Sequence, residues 1–262
     1  MRRLFFHSSD ERDAPPPRLV QALNFAAAFL LVSAIFYFSF QQVTYHWNWA
    51  AAYKYRQKFI HGWTVTIGIS LASLVLSAAV GLFFALAQRS PLLLLRYFSR
   101  IYVEVVRGTP LLVQILIFFY VVAQAFHVTD RYLVGILTLS FFSGAYISEM
   151  IRAGIESVGK SQLESARAIG LTKVQIYRYV IFPQALRQTL PPLAGQFVSL
   201  IKDSSLLSII AISEFTLNAQ EVNSYTYSAF ESYIPLAVGY LLLTFPVSMG
   251  TRWLEKRFRY ET

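Results

Sequence analysis

Cysteine is missing from all 262 residues, which excludes disulfides and thiolate metal sites and says little else. Charge is scarce too. Only 14% of the chain is Asp, Glu, Lys or Arg, where a soluble domain carries about 25%. No repeat of 20–50 residues and no long linker breaks the chain, so it reads as one membrane domain. What fills the gap is apolar: 55% hydrophobic residues, with 22 Phe and 16 Tyr. Six stretches are nearly free of charge, at 19–43, 62–88, 108–129, 132–148, 189–213 and 232–251. Most approach or exceed the ~20 residues that cross a bilayer as a helix. Stretch 132–148 reaches that length only by including Glu149 and Met150, and Lys202–Asp203 interrupts 189–213. The pattern predicts an all-α membrane protein with six transmembrane helices. The first stretch is longer than a signal-peptide core and ends without a small-x-small cleavage site, so it reads as a retained helix.

The 23 Lys and Arg outnumber the 14 Asp and Glu, and their placement gives the excess its meaning. Arg2, Arg3, Arg12 and Arg18 precede the first stretch, and Arg89, Arg96, Arg100 and Arg107 follow the second. Arg152, Lys160, Arg167, Lys173, Arg178 and Arg187 lie between the fourth and fifth, and Arg252, Lys256, Arg257 and Arg259 follow the sixth. The opposite loops hold only Lys54, Arg56, Lys58 and Arg131. The positive-inside rule then predicts both termini in the cytoplasm. Residues 8–18, polar and rich in proline, form a lead-in.

One connection does not look like a membrane protein. Residues 161–192 are charged, amphipathic and punctuated by helix caps. Ser161-x-x-Glu164 and Thr172-x-x-Gln175 both have the capping-box pattern. Gly170 suits the left-handed turn that ends a helix, and Pro183 limits the second. The expectation is two short cytoplasmic helices about a glycine turn. Leu163, Ala166 and Gly170 recur at helical spacing, a small face suited to a groove on another protein. Two decoys lie nearby. Residues 154–161, Gly-x4-Gly-Lys-Ser, fit a phosphate loop but follow the charged end of a membrane helix rather than a strand. Residues 166–180 look like a helix–turn–helix, yet both ends are tied to membrane segments.

Glu164-Ser165-Ala166, three residues, Gly170, nine residues, then Val180-x-Phe182-Pro183 resembles the "EAA" loop of bacterial ABC importer permeases. The usual form is Glu-Ala-Ala-x3-Gly-x9-Ile-x-Leu-Pro, so Ser165, Val180 and Phe182 are mild departures. "RGTPLLVQ" (107–114) and "IKDSSLLSIIAISE" (201–214) are similar to motifs of the branch importing polar amino acids. The resemblance implies a type I importer permease core over 58–257, with a coupling loop at 153–188. Residues 1–18 would be a cytoplasmic segment and 19–43 an additional helix. It further implies that Leu163, Glu164, Ala166, Gly170 and Leu171 dock into a cytoplasmic ATP-binding subunit, present in two copies. A second permease subunit, identical or related, would complete the pore, and an extracytoplasmic amino-acid-binding protein would deliver substrate. ATP and Mg would sit on the ATPase. This chain would carry no cofactor, metal or catalytic residue, and would contact lipid but no nucleic acid.

Lys202 and Asp203 are charges deep in a membrane helix, where they usually face a cavity or a partner. With Ser204 and Ser205 they suit a zwitterionic ligand. Gln114 and Glu149 are further pathway candidates, although Arg152 is spaced to pair with Glu149. Arg107-Gly108-Thr109-Pro110 marks a helix break, with Thr109 able to cap and Pro110 suited to a first turn, or a gate. Residues 214–232, holding Glu214, Glu221 and Glu231 without Lys or Arg, read as an acidic outer loop that the resemblance places near the binding protein. The alternatives are a channel or ion-gradient-driven secondary transporter, and a membrane-tethered helix–turn–helix regulator.

Overall fold

A computed structural model describes residues 17–258, so most of the polar lead-in and Arg259 lie outside the described residues. Two compact units divide at Trp47 and Asn48. The first contains α1, Arg18–Gln41, whose 24 residues span ~36 Å, enough to cross a bilayer. It is apolar all round and buries no residue within its own unit. Its few polar groups are satisfied locally: Asn24 Nδ2 donates to the Val20 carbonyl and Ser39 Oγ to that of Ile35.

The second unit is entirely helical among the described residues. Its elements are α2 (Trp49–Lys54), α3 (Arg56–Ala87), α4 (Leu93–Gly108), α5 (Leu111–Ala125), α6 (Arg131–Glu156), α7 (Lys160–Ala168), α8 (Lys173–Ile210), α9 (Phe215–Thr226) and α10 (Ala229–Phe258). Helices α1, α3, α6, α8 and α10 are each long and apolar enough to cross a membrane. Helix α5 is too short alone. It meets α4 at a 113° bend, and the pair is the sixth candidate span. Helix α4 itself is masked in a hydropathy reading by Arg96, Arg100, Glu104 and Arg107. Its exposed Leu94, Tyr97, Phe98, Ile101 and Val105 recur at helical spacing, an amphipathic signature.

The centre of this unit is the seam between α3 and α6. Lipid tails are as apolar as leucine, so membrane helices associate through close packing and interhelical hydrogen bonds. Helix α3 brings buried Ser70, Ser73, Ser77 and Gly81, and α6 brings buried Ser140, Ser143, Gly144 and Ser148. Ser73 Oγ donates to the Ile136 carbonyl at 3.4 Å, and Ser140 Oγ lies 3.4 Å from the Ser73 carbonyl. A Cβ on Gly81 would stand 2.5 Å from Ile147 Cγ2 and 3.0 Å from the Gly144 carbonyl. Further out, Ile69, Leu111, Ile115, Leu139, Leu207, Ile210 and Ile212 form the largest apolar cluster.

Helix α8 departs from the two-short-helices expectation. It runs unbroken from Lys173 through Pro183 to Ile210. Proline removes a donor and crowds the carbonyl four residues back. Here a π turn over Tyr177–Ile181 widens the helix just before it, with the Phe182 amide donating to the Tyr177 carbonyl. Pro191 and Pro192 lie inside the same helix. Nor is Ser161 a cap: α7 starts one residue earlier, at Lys160, behind Gly159. The Thr172–Gln175 capping box is present. The phosphate-loop look-alike is a helix end. A Cβ at Gly154 would lie 2.9 Å from the Ala185 carbonyl, so this glycine serves the contact of α6 with α8.

Replacing Gly81 by Val should destabilise the protein by roughly 1–3 kcal/mol through overpacking. The same change at Gly68, where an added Cβ meets nothing within 4 Å, should be nearly neutral. Thermal melting in detergent compares the two; equal melting would contradict the seam.

Candidate functional site

Three groups of side chains stand out. The first is the α7–α8 corner. Gly170 takes φ +83°, a region where side chains are strained. Its amide donates to the Arg167 carbonyl at 2.9 Å, and that of Leu171 to Ala166 at 3.1 Å, which is the paired bonding of a Schellman turn. Beneath the turn, Ala166 packs with Val158, Ile176, Ile181 and Ala185, and Leu163 and Leu171 join them. Of the small face expected to meet a partner, Leu163 and Ala166 are therefore turned inward, whereas Gly170 stays exposed. A short helix must bury its apolar stripe, and here it does so against the base of α8 and the end of α6. What faces outward is Glu164, Ser165, Ala168, Ile169 and Val174, the last two exposed at 77% and 76%. Gly170 lies exposed between them.

The second group is the α4–α5 corner. Thr109 does not cap α5; its Oγ1 donates back to the Val105 carbonyl at the end of α4. Buried Gln114 locks the bend, its Nε2 donating to the carbonyls of Val106 at 2.7 Å and Thr109 at 3.1 Å. Arg107 reaches Glu149 on α6 at 3.3 Å. Glu149 also accepts from Arg152 Nε and Nη2, at 3.0 and 2.9 Å, while Arg152 Nη1 donates to Glu156 at 2.6 Å, and Gln88 at the end of α3 donates to Glu149. Of the predicted gate residues, Thr109 thus pairs with Gln114 inside the bend, whereas Arg107 joins Glu149, so the candidates form two polar groups, the second centred on Glu149. It borders a cavity of about 370 Å³ lined by Arg89, Arg100, Glu104 and Glu156 as well. Gln88 and Glu104 carry no motif that would have singled them out.

The third group is Lys202–Ser205. It sits not in mid-helix but where α8 tightens into a 3₁₀ turn over Ser204–Ile210, closed by Ala211 at φ +57°. Lys202 is exposed and Asp203 half-buried, and neither makes an ion pair or hydrogen bond among the described residues. Ser204 is buried and bonded to the Ile201 carbonyl, and Ser205 is half-buried. Groups two and three come from separate elements, and no motif marks Gln196 on α8, which is buried and bonded to Ser143 of the central seam.

The acidic outer loop is not a charged surface. Glu214 and Glu231 are fully buried, and Glu221 pairs with Lys58. Glu231 accepts from the Asn48 amide at the start of α2. Glu214 caps α9, accepting from the amides of Thr216 and Leu217 at 2.8 Å, while the Tyr240 hydroxyl donates to it at 3.1 Å. Each carboxylate serves a helix start, which the spacing alone did not reveal.

A family model described as "Binding-protein-dependent transport system inner membrane component" matches residues 77–260. The chain is 33% identical over 214 residues to the glutamine transport system permease protein GlnP of Escherichia coli K12, covering 81% of this chain and 98% of that one. It is 40% identical over 194 residues to the L-cystine transport system permease protein TcyB of Bacillus subtilis, covering 73% and 82%. A solved amino acid ABC transporter chain superposes with TM-score 0.76 at 34% identity, over 81% of this chain and 100% of that one.

Burial pushes the Glu214 carboxyl up from its ordinary 4.5 to about 7, against the hydrogen bonds that favour its charge. A raised acid pKa adds stability that is complete below 4.5 and is lost as pH rises through 7. The melting temperature of the solubilised protein should therefore fall as pH rises from about 4.5 to about 7. Glu214→Gln should flatten that part of the slope, which is on the order of 3 kcal/mol. An identical slope in the variant would contradict the assignment.

Proposed function

The chain belongs to the binding-protein-dependent transport system inner membrane components and has the type I ABC importer permease fold, and from that premise we propose how it works: as the membrane-spanning subunit of an ATP-driven importer of polar amino acids. It is a multi-pass inner-membrane protein and a transport component rather than a catalyst. The relatives carry glutamine and cystine in their names, which supports the substrate class.

The observation that carries the mechanism is the α7–α8 unit. The exposed strip of Glu164, Ser165, Ala168, Ile169 and Val174 is the docking surface for a cytoplasmic ATPase subunit, one on each of two permease subunits. Leu163, Ala166, Gly170 and Leu171 act behind it by holding α7 to α8. ATP and Mg²⁺ bind the ATPase pair, and its closure displaces α7. The inner packing passes that displacement into α8, whose Asp203 lies roughly 45 Å along the helix from Lys173. There Lys202 can meet a substrate carboxylate and Asp203 an ammonium group, with Ser204 and Ser205 at the same level. Gln114 and Glu149 hold the α4–α5 corner against the seam and act on the pathway through it. Both termini lie in the cytoplasm and the binding protein docks on the opposite side. A reading helix for DNA would need to be free, whereas the second helix of the look-alike motif continues into a membrane span.

Two measurements test this. An ATPase subunit from the native host should co-purify with the wild-type chain and be lost with Gly170→Arg, because the left-handed turn penalises any side chain by about 1–2 kcal/mol. Co-purification unchanged by the variant would overturn the docking surface. Asp203→Asn should lower ATP-dependent uptake into proteoliposomes by roughly tenfold or more with the complex intact. Uptake that persists without ATP and collapses with an ion gradient would point to secondary transport.

A further inference from the structure

One hydroxyl joins three elements beside the Lys202–Ser205 level. Tyr240 of α10 donates to Glu214 Oε2 at 3.1 Å, and its oxygen lies 3.1 Å from Thr216 Oγ1. The Ser204 hydroxyl, bonded to the Ile201 carbonyl at 2.8 Å, is a further side-chain partner of the same oxygen. Ser204 opens the 3₁₀ turn that ends α8, and Glu214 caps the start of α9. Tyr240 therefore touches both ends of the segment 204–216.

The α9 end of that segment is held without Tyr240. Glu214 accepts from two amides of its own helix, and Asn218 Nδ2 donates to the carbonyls of Ser213 and Glu214, both at 2.9 Å. The Phe215 amide donates to Thr66 Oγ1 of α3 at 3.1 Å. A Cβ on Gly62 of α3 would lie 2.8 Å from Phe215 Cα, and one on Gly239 of α10 would run into the Phe215 ring. Close backbone packing with α3 and α10 thus fixes the start of α9. The 3₁₀ turn is tied at its far end, where Arg131 of α6 donates to the Ala211 carbonyl at 2.9 Å. At its near end, Tyr240 is the side chain that reaches Ser204 from another helix.

We propose that Tyr240 is a positioning residue for the substrate level: its hydroxyl staples the first residue of the 3₁₀ turn to the fixed start of α9. A 3₁₀ turn is short and its internal hydrogen bonds are poorly aligned, so an anchor from another element sets where its neighbours point. Lys202 and Asp203 immediately precede Ser204 and have no ion pair or hydrogen bond of their own among the described residues, so the turn directs them. The inference rests on Lys202 and Asp203 being the substrate level proposed above.

The test uses Tyr240→Phe, which deletes the hydroxyl and keeps the ring that packs 5.6 Å from that of Phe215. The chain has no cysteine, so a spin label on Ile209→Cys, exposed on the turn, reports the turn alone. A label on Tyr227→Cys, exposed at the end of α9, is the control. Tyr240→Phe should raise mobility at position 209 and leave position 227 unchanged. In proteoliposomes holding the full importer, without labels, the probes are radiolabelled glutamine, arginine and histidine. Amino acid imported per ATP hydrolysed should fall roughly fivefold in Tyr240→Phe, the effect of one hydrogen bond, with ATP hydrolysis nearly unchanged. Ser204→Ala should do the same, and the double variant should be no worse than either single one. Unchanged mobility at position 209, equal loosening at both positions, or a parallel fall in uptake and hydrolysis would overturn the positioning role. If the turn loosens in Tyr240→Phe but Asp203→Asn leaves uptake intact, or if none of the three probes is imported, the staple stands and the substrate reading above fails.

Discussion

Close approach of α3 and α6 is the constraint on which the second unit depends. Ser73, Ser77 and Gly81 on one helix and Ser140, Ser143 and Gly144 on the other remove the bulk that would hold the backbones apart. In a bilayer this is the main source of helix affinity, since burying leucine against leucine gains little over lipid. The other elements are arranged by the same pair. Helix α4 reaches it through Tyr102, which stacks on Phe84 and donates to the Phe141 carbonyl. Helix α8 reaches it through Gln196 on Ser143 and through the contact at Gly154. Helix α9 meets it where the Phe215 amide donates to Thr66.

The α7–α8 corner turns on one glycine and is backed by a small apolar cluster, so α7 is packed on α8 rather than carried on a loose loop. The π turn matters here. It lets Pro183 sit inside the helix without ending it, which makes the α7–α8 corner and the charged level at Lys202–Asp203 parts of one helix. At the other corner, Gln114 and the Arg107–Glu149–Arg152 group hold a sharp bend beside the same seam. Both corners meet α6, one at Gly154 and the other at Glu149.

Much of this was legible in the sequence. Charge-poor stretches located five spanning helices, because span length and charge exclusion are imposed by the bilayer. Gly170 and the Thr172–Gln175 box were legible because backbone conformation dictates those residues locally. Helix α4 escaped because its charged face masks an apolar one from an averaged hydropathy. Pro183 misled because its effect depends on whether the preceding turn can widen, and the inward turn of Leu163 and Ala166 depends on what lies beneath them. The roles of Glu214, Glu231 and Gln114 are set by amides and carbonyls brought from other elements, which no local pattern encodes. For the site, the sequence supplied the outward strip only in part: Glu164 and Gly170 were singled out, whereas Ile169 and Val174 were not.

The central claim is that the outward strip of α7 lies in the cytoplasm and is covered by an ATPase subunit. Because the chain has no cysteine, Ile169→Cys creates a unique label site at an exposed point of that strip. A membrane-impermeant maleimide should label it in inside-out vesicles and not in right-side-out ones. Adding the purified ATPase subunit should protect it. Labelling from the outside, or labelling from the inside that the ATPase leaves unchanged, would contradict the account.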